Sequence, residues 1–464
     1  MDIKDLEGKL VAVLGYGQEG KAVTRYLLTH SIKPVLFDQK EWPDWPPEEQ
    51  AAIKNLGVNF IFGPGYLEEL KGFDVAFRSP GIRLFDLKTI SKKTLITSQT
   101  KWFFEHCPAK IIGVTGTKGK GTTCSLIYSI LSSQKLVVNR AKPNVYLTGN
   151  IGKQQPLDFL DDLSQSDWVV YELSSFQLQD LAQSPHIGVV LMTTSEHLDY
   201  HRDQTEYLQA KQPILQYQTH QDFGVIDQDN LNSRKIGTLG MGQKKYFSIK
   251  ARADSYVSDG QIFLARKGHS RTSPLLAIQE LQLRGRHNWE NVCAAALAAA
   301  CAGCLPGAIK TAIKNFKGLE HRLEFVAEKQ GIKFYNDSFS TTPETAMAAL
   351  ASFVEPEIVI LGGSSKNSDF TDLGKTVTRT KNLKAVILIG QEASRLKKAI
   401  IEADGPLPKI LEGAASMEEI FKQLKIVAAP GDAVILSPAC ASFDMFKNYQ
   451  DRGRQFKQAA LTWV

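Results

Sequence analysis

Apolar residues fall in short β-branched runs separated by longer stretches of mixed polarity, and this alternation continues from one end of the chain to the other. Leu10 to Leu14, Ile111 to Val114, Trp168 to Tyr171 and Ile187 to Met192 read as buried strands. So do Lys333 to Tyr335, Ile358 to Leu361, Ala385 to Ile389 and Ala433 to Leu436. Helix-like stretches lie between them, which is the pattern of an α/β protein built on parallel sheets. Ser125 to Ser132 and the segment after His287 read as helices. Thr205 to Tyr217 does too, although Pro213 inside it opposes a helix by about 3 kcal/mol. The Trp- and Pro-rich piece Glu41 to Pro47 reads as a surface turn or loop.

At 464 residues the chain is too long for one core, and its length predicts about three domains. The pattern breaks near Cys107-Pro108 and again near Phe316-Lys317-Gly318, giving blocks 1–107, 108–317 and 318–464. The expected class is α/β with a Rossmann-like N-terminal domain, a central P-loop mononucleotide-binding domain and a C-terminal Rossmann-like domain. Composition adds little: 43% apolar and 22% charged residues exclude disorder. A net charge of +6 with no basic run gives no ground for nucleic-acid binding. The start of the chain lacks a signal-peptide core, and the longest apolar run, Val292 to Cys304, is too short to span a bilayer. Six scattered cysteines predict no disulfide framework. Cys301 and Cys304 read as small residues on one buried helix face, not as a metal or redox pair. Together these point to the cytoplasm.

The central block holds the chemistry. The strand Ile111 to Val114 runs into Thr115-Gly116-Thr117-Lys118-Gly119-Lys120-Gly121-Thr122-Thr123, and a helical pattern follows. Strand, Gly-rich loop and helix make an anion site, with backbone N–H groups and the helix N-terminus aimed at phosphate and a lysine reaching its far end. The strict phosphate-loop pattern fails twice, since its first Gly falls at Val114 and Gly121 follows Lys120. The plain alternative is a tight turn. If the loop does bind nucleotide, Thr122 or Thr123 supplies the hydroxyl for magnesium.

Two further strands end in metal-type ligands, Glu172 after Trp168 to Tyr171 and His197 after Ile187 to Met192. A phosphate loop, a Glu and a His thus all follow strand carboxyl ends, the edge where open α/β sheets bind ligands. Leu208, Lys211 and Leu215 share a helix face, so Lys211 is either a snorkelling surface lysine or a desolvated, partly neutral and modified one. In the first block, Gly15-x-Gly17-x-x-Gly20 follows a strand and opens a helix, and Asp38 ends the next strand. This is a dinucleotide-type fingerprint, weak by itself.

At these residues the chain resembles the Mur ligase family. The landmarks run in order: Ser79-Pro80-Gly81, the loop at 115–123, Gly149-Asn150-Ile151-Gly152, Glu172 to Leu178, His197-Leu198-Asp199 and Ala210-Lys211. They continue with Gly285-Arg286-His287-Asn288 and Asn291, His321-Arg322-Leu323-Glu324, Asn336-Asp337-Ser338, Gly362-Gly363 and Leu436 to Asp444. The last of these is most like the glutamate-adding branch.

The resemblance implies an ATP-dependent amide ligase that activates UDP-N-acetylmuramoyl-L-alanine as an acyl phosphate and joins it to glutamate, the D form favoured, in peptidoglycan precursor synthesis. It implies two magnesium ions and a carbamylated Lys211, with Lys120, Glu172, His197 and Lys211 catalytic and Thr122, Glu172, His197 and Lys211 around the metal. ATP would meet Gly116, Thr117, Lys118, Gly119, Lys120, Gly121, Thr122, Thr123, Asn288, Asn291, Arg322 and Asp337. The UDP-linked acceptor would meet Gly15, Tyr16, Gly17, Asp38, Ser79, Asn150, Ser174 and Gln177, and glutamate would meet Thr341, Lys366, Ser442, Phe443 and Tyr449. The partners are these small molecules, with no nucleic acid or membrane, and the expected state is a monomer that closes near Lys317-Gly318 before chemistry.

Two features depart from the pattern. The loop Gly116 to Thr122 resembles folylpolyglutamate synthases, a sister group, though those enzymes lack a preceding UDP-type block. Phe339 stands where many glutamate-adding enzymes have Lys, which keeps L-glutamate open. An NAD-dependent oxidoreductase would explain only the first glycine motif. A catalytically inert nucleotide-binding subunit would not need Lys120, Glu172, His197 and Lys211.

Overall fold

The computed structural model describes residues 1–84, 86–87, 93–133, 143–152, 154–194, 200–265, 272–365 and 367–464. His197, with Leu198 and Asp199, and Lys366 lie outside the described residues. The chain forms two compact units, Met1–Ile278 with Glu290–Ile313, and Gln279–Trp289 with Lys314–Val464.

The first unit holds two sheets among the described residues. One has strands β1 (Val11–Leu14), β2 (Val35–Asp38), β3 (Phe60–Phe62), β4 (Val75–Arg78) and β5 (Leu95–Ser98), in the order β3-β2-β1-β4-β5. All its pairs are parallel. This is the doubly wound order, with the strand order reversing beside β1.

The other contains β6 (Lys110–Thr115), β7 (Val145–Gly149), β8 (Trp168–Glu172), β9 (Ile187–Val190), β10 (Phe223–Asp227), β11 (Gln243–Ser248), β12 (Ser255–Ser258), β13 (Gln261–Ala265) and β14 (Thr272–Ala277). Their order is β14-β13-β12-β11-β10-β9-β6-β8-β7. The sheet is parallel from β7 to β12 and antiparallel through β13 and β14.

One apolar core joins the two sheets. Ser98 caps the helix Gln99–His106 by accepting a hydrogen bond from Lys101 N at 3.1 Å. That helix carries Trp102 to within 5.3 Å of Phe77 on β4, and Phe103 to within 5.8 Å of Tyr171 on β8, ring centre to ring centre. All four rings are buried, each stabilising the fold by roughly 1.5–3 kcal/mol.

Two expectations need adjusting. Glu41 to Pro47 is not merely a surface loop: Trp42–Asp44 is a 3-10 turn, Trp42 stacks on Phe60 at 4.5 Å, and Trp45 is buried beside Phe62. These indoles cover the edge strand β3, which an open loop could not do. Thr205 to Tyr217 is two helices, Gln204–Lys211 and Pro213–Gln216. Pro213 cannot donate to the preceding turn, so it starts a new helix.

The second unit holds β15 (Glu324–Lys329), β16 (Ile332–Asn336), β17 (Glu357–Gly362), β18 (Leu383–Ile389), β19 (Lys409–Ala414) and β20 (Ala433–Leu436). Their order is β15-β16-β20-β17-β18-β19, with β15 antiparallel and the other pairs parallel. Val434 and Leu436 enter one apolar cluster while Ala433 and Ile435 enter another. Both faces are covered, which is why these strands read as continuous apolar runs.

The Ala-rich segment is the helix Arg286–Cys301, buried from Val292 to Ala299. All six cysteines are free thiols. Among the described residues no helix is long and apolar enough to cross a membrane.

Candidate functional site

Parallel register fixes where the chemistry collects. Val114 on β6 pairs with Glu172 on β8, Glu172 pairs with Gly149 on β7, and Thr115 pairs with Val190 on β9. The glycine loop, Glu172, and Asn150 just past Gly149 therefore leave one sheet at the same edge. Asn150 is exposed there, and Glu172 is 6% exposed.

The loop leads into the helix Lys120–Ser133. Gly119 has φ +87°, and a Cβ there would strike Asn291 Oδ1. Only glycine permits that approach. Lys120 Nζ donates to the carbonyls of Gly116 and Thr117, both at 3.0 Å. Thr117 N donates to Met192 O at 2.8 Å, and Thr194 N to Thr117 Oγ1 at 2.9 Å, tying the loop to the segment after β9. The Thr123 hydroxyl donates to Asn291 Oδ1 at 3.3 Å. Thr122 lies beside it in the same helical turn and is 9% exposed. Lys118 and Gly121 complete the loop, Lys118 at its exposed rim and Gly121 within the first helical turn.

Lys211 is 1% exposed, so snorkelling is ruled out. Its Nζ donates to Thr115 Oγ1 at 3.1 Å and Gly116 O at 3.2 Å, and lies 4.8 Å from the Tyr207 ring centre. The amine thus sits at the root of the glycine loop. Next to Glu172, Ser174 caps the short helix Ser175–Leu178: its hydroxyl accepts from Gln177 N, and the Gln177 carboxamide oxygen accepts from Ser174 N at 3.0 Å. His201 is buried against Phe176 and Tyr207 and bonds Ser175 Oγ at 3.0 Å. Sequence reading missed it.

In the first sheet, Gly20 packs its helix onto the loop so closely that a Cβ would collide with Gly15 O. Ser79 Oγ donates to that same carbonyl at 2.9 Å. Asp38 accepts from Tyr16 N at 2.7 Å and Lys40 N at 2.9 Å, so its carboxylate shapes the backbone of the loop. Gly17 is the exposed cap residue of the helix Gln18–Thr29, and its helix N-terminus faces the same edge as Ser79.

Arg78 ties these elements together and was also missed. It is 2% exposed, and one of its nitrogens donates to Ile82 O at 2.7 Å and Pro80 O at 3.2 Å. The other donates to Phe176 O at 3.1 Å and Asp180 Oδ2 at 3.0 Å. One buried guanidinium therefore holds the Ser79 loop and the turn after Glu172. The only sequence signal was a lone Arg at the end of an apolar strand.

In the second unit, Asp337 lies at the end of β16. Its carboxylate accepts from Ser437 Oγ at 2.8 Å and Leu323 N at 3.0 Å, while burial pushes its pKa up to about 7. Arg322 lies 4.1 Å from the centre of the Phe339 ring, and Tyr449 meets that ring edge-on at 5.1 Å. Ser442 is buried, Thr341 and Tyr449 are half-buried, and Phe443 is 74% exposed. Arg452, fully buried and also missed, donates to Ser338, Cys440 O and Ala441 O. It fixes the turn carrying Ser442. Of the expected ATP contacts, Asn291 stands with the loop in the first unit, while Asn288, Arg322 and Asp337 belong to the second.

Comparison with known proteins agrees with this layout. Residues 114–299 match the Mur ligase middle domain, and residues 321–440 match the Mur ligase, glutamate ligase domain. A protein of Acetivibrio thermocellus named UDP-N-acetylmuramoylalanine--D-glutamate ligase is 36% identical over 98% of this chain and 97% of its own length. Its counterpart of the same name in Symbiobacterium thermophilum is 36% identical over 96% of each chain.

Two solved structures share the fold. UDP-N-acetylmuramate-alanine ligase MurC from Thermotoga maritima superposes with a TM-score of 0.59 at 16% identity, covering 98% of this chain and 99% of that one. The MurF ligase from the same organism, in complex with ADP, gives 0.57 at 16% identity, covering 98% and 96%. With both domain matches falling on the loop, Glu172, Lys211 and Asp337, and full-length relatives at this identity, the chain belongs to the Mur ligase family.

Proposed function

We propose that this protein uses ATP and magnesium to join D-glutamate to UDP-N-acetylmuramoyl-L-alanine in the cytoplasmic assembly of peptidoglycan precursors. The observation that carries the reading is the convergence on one sheet edge of the phosphate loop, Glu172 and the buried amine of Lys211. The reading takes residues 1–107 as the UDP-binding domain, 108–317 as the ATP domain and 318–464 as the amino-acid domain, in a monomer.

The γ-phosphoryl group of ATP passes to the alanyl carboxylate, releasing ADP and leaving an acyl phosphate. The glutamate amine attacks the acyl carbon, loses a proton, and the tetrahedral intermediate expels inorganic phosphate to leave an amide. Lys120 exchanges the loop carbonyls for phosphoryl oxygens, and catalysis is mainly positioning and charge neutralisation.

The donor set suits magnesium, a hard cation that takes oxygen ligands. Glu172 and the Thr122 hydroxyl would hold it, with His197 and Lys211 completing the site, two ions being expected. Bound magnesium supplies positive charge against the phosphates. A neutral Lys211 amine would add carbon dioxide and release a proton, and the carbamate so formed would put an anion with two oxygen donors in place of a cation. Gly15, Gly17 and Ser79 line the diphosphate end of the acceptor, and Asn150, Ser174 and Gln177 the muramoyl end. Ser442, Tyr449, Thr341, Phe443 and Lys366 serve the incoming glutamate.

Phosphate release measured with UDP-N-acetylmuramoyl-L-alanine, a pteroate-type acceptor or none, and with each glutamate enantiomer, tests this reading. Phosphate release and amide formation with the muramoyl acceptor and D-glutamate alone are expected. Preference for the L form would overturn the enantiomer. It has one feature in its favour, the apolar Phe339 held under Arg322. Release only with the pteroate acceptor would move the protein to the sister group.

A further inference from the structure

Glu19 lies inside the first glycine motif, in the opening turn of the helix Gln18–Thr29, and has no part in the reading above. A carboxylate in this place is unexpected, because the helix N-terminus is where an acceptor's phosphates would be received. Its side chain turns inward. Oε1 accepts a hydrogen bond from Gln177 Nε2 at 2.8 Å, and Oε2 is buried with no hydrogen-bond partner among the described residues. Gln177 is itself 3% exposed and closes the capping box beside Glu172.

We propose that Glu19 is a positioning residue that clamps the first glycine loop to the turn after β8, and that its ionisation sets how strongly the acceptor's diphosphate binds. The inference rests on the assignment of a UDP-linked acceptor.

The groups facing Glu19 decide its charge. Arg78 from the end of β4 is paired with Asp180 from the turn beyond Gln177, at 3.0 Å, so their charges cancel locally. Tyr171 on β8 is buried and neutral, and its phenol is pushed up by burial first and by Glu19 second. Gln177 donates whatever the charge of Glu19. An ionised Glu19 is therefore only partly compensated, with Oε2 shut away from solvent and left without a donor among the described residues. Burial accordingly raises its pKa to about 7, against the lowering effects of Gln177 and Arg78.

A bound diphosphate and an ionised Glu19 would compete for the same helix N-terminus. A diphosphate esterified at both ends has no group that titrates near neutrality, so the proton must come to Glu19. Acceptor binding is then linked to uptake of a proton. The apparent KM for the acceptor rises as pH rises through about 7, by at most about tenfold per pH unit, the slope of one proton.

The test compares wild type, Glu19→Gln and Glu19→Ala, with UDP-N-acetylmuramoyl-L-alanine as the varied ligand at saturating ATP and glutamate. Binding of the same acceptor is also measured by calorimetry in buffers of different ionisation enthalpy. The expected result is a pH-dependent acceptor KM and proton uptake in wild type. Glu19→Gln, which still accepts from Gln177, should lose both and bind more tightly than wild type at alkaline pH. Glu19→Ala should raise the acceptor KM below about pH 7, where wild-type Glu19 is neutral, and show no further rise at alkaline pH, while the KM for ATP stays put. A Glu19→Gln variant that keeps the wild-type slope and proton uptake overturns the linkage. Glu19→Ala with a wild-type acceptor KM overturns the clamp. Wild-type protein that neither binds nor turns over this acceptor sinks the ligase reading, and this inference with it.

Discussion

Replacing Arg78 with Met should damage stability and acceptor recognition together. The guanidinium is completely enclosed and Asp180 nearly so, with side-chain exposures of 0% and 7%. Removing the cation leaves a buried carboxylate without its partner, a change that costs about 3–5 kcal/mol. The Pro80, Ile82 and Phe176 carbonyls lose donors as well, but water can reach loop carbonyls once the loop loosens, so about 1 kcal/mol apiece is an upper bound.

Urea unfolding of the full chain, followed by tryptophan emission with Trp102 reporting from the core beside Phe77, measures the loss. Asp180→Leu and the Arg78→Met/Asp180→Leu double variant complete a cycle. The double variant should be more stable than the two single costs predict by about 1–3 kcal/mol, because no charge is then stranded. Because the Ser79 loop and the Phe176 turn both lose their anchor, the acceptor KM should rise at least about tenfold, with the KM for ATP much less affected. A single variant within about 1 kcal/mol of wild type, less than the cost of one stranded charge, or strictly additive single costs, would refute the reasoning.

Glu357 gives a pH signature. Both its carboxylate oxygens lack hydrogen-bond partners among the described residues, and burial, with Glu355 adding repulsion, raises its pKa to about 8. The folded pKa lies above the unfolded one, so its neutral form favours folding at acid pH. That contribution is lost as pH climbs toward about 8, at no more than about 1.4 kcal/mol per pH unit. Glu357→Gln should therefore gain on wild type in denaturation midpoint between pH 5 and pH 8, and a constant gap would refute this. Lys120→Ala should lower turnover by about a hundredfold or more while the acceptor still binds; near-normal turnover would make the loop a mere turn. Lys211→Ala should lose most activity and regain part of it with added acetate or formate, whereas Lys211→Arg should be inactive and not rescued. Full turnover in Lys211→Ala would remove that lysine from the mechanism.

Much of the fold was legible because parallel strands buried on both faces leave continuous β-branched runs, as Ala433 to Leu436 does. The strand, glycine loop and helix around Lys120 were legible because the glycines and lysine sit in one contiguous segment. Pro213's missing N–H weakened the single-helix reading of Thr205 to Tyr217 without showing that the segment is two helices. Arg78, His201, Arg452 and Glu19 were not legible. Their partners lie on distant segments, Phe176 and Asp180 for Arg78, Ser338 and Cys440 for Arg452. No local period encodes such pairings. The turn around Trp42 was legible from its prolines, but the packing of Trp42 and Trp45 was not, because what places them is the aromatic edge strand they cover. His197 and Lys366 keep the roles the resemblance gives them as proposals.

The position of β20 has a consequence for how the protein is made. It is the last of its six strands in sequence, yet it lies between β16 and β17. On the ribosome the nascent chain therefore holds two unjoined half-sheets, β15 with β16 and β17 with β18 and β19, until Ala433 to Leu436 emerges. Each half exposes an unpaired apolar edge in that interval, the kind of surface that associates with other chains. Synthesis stalled before Ala433 would thus leave a species that recruits chaperones or aggregates. Arrival of one four-residue strand joins both halves and places Ser437 beside Asp337 in the same event.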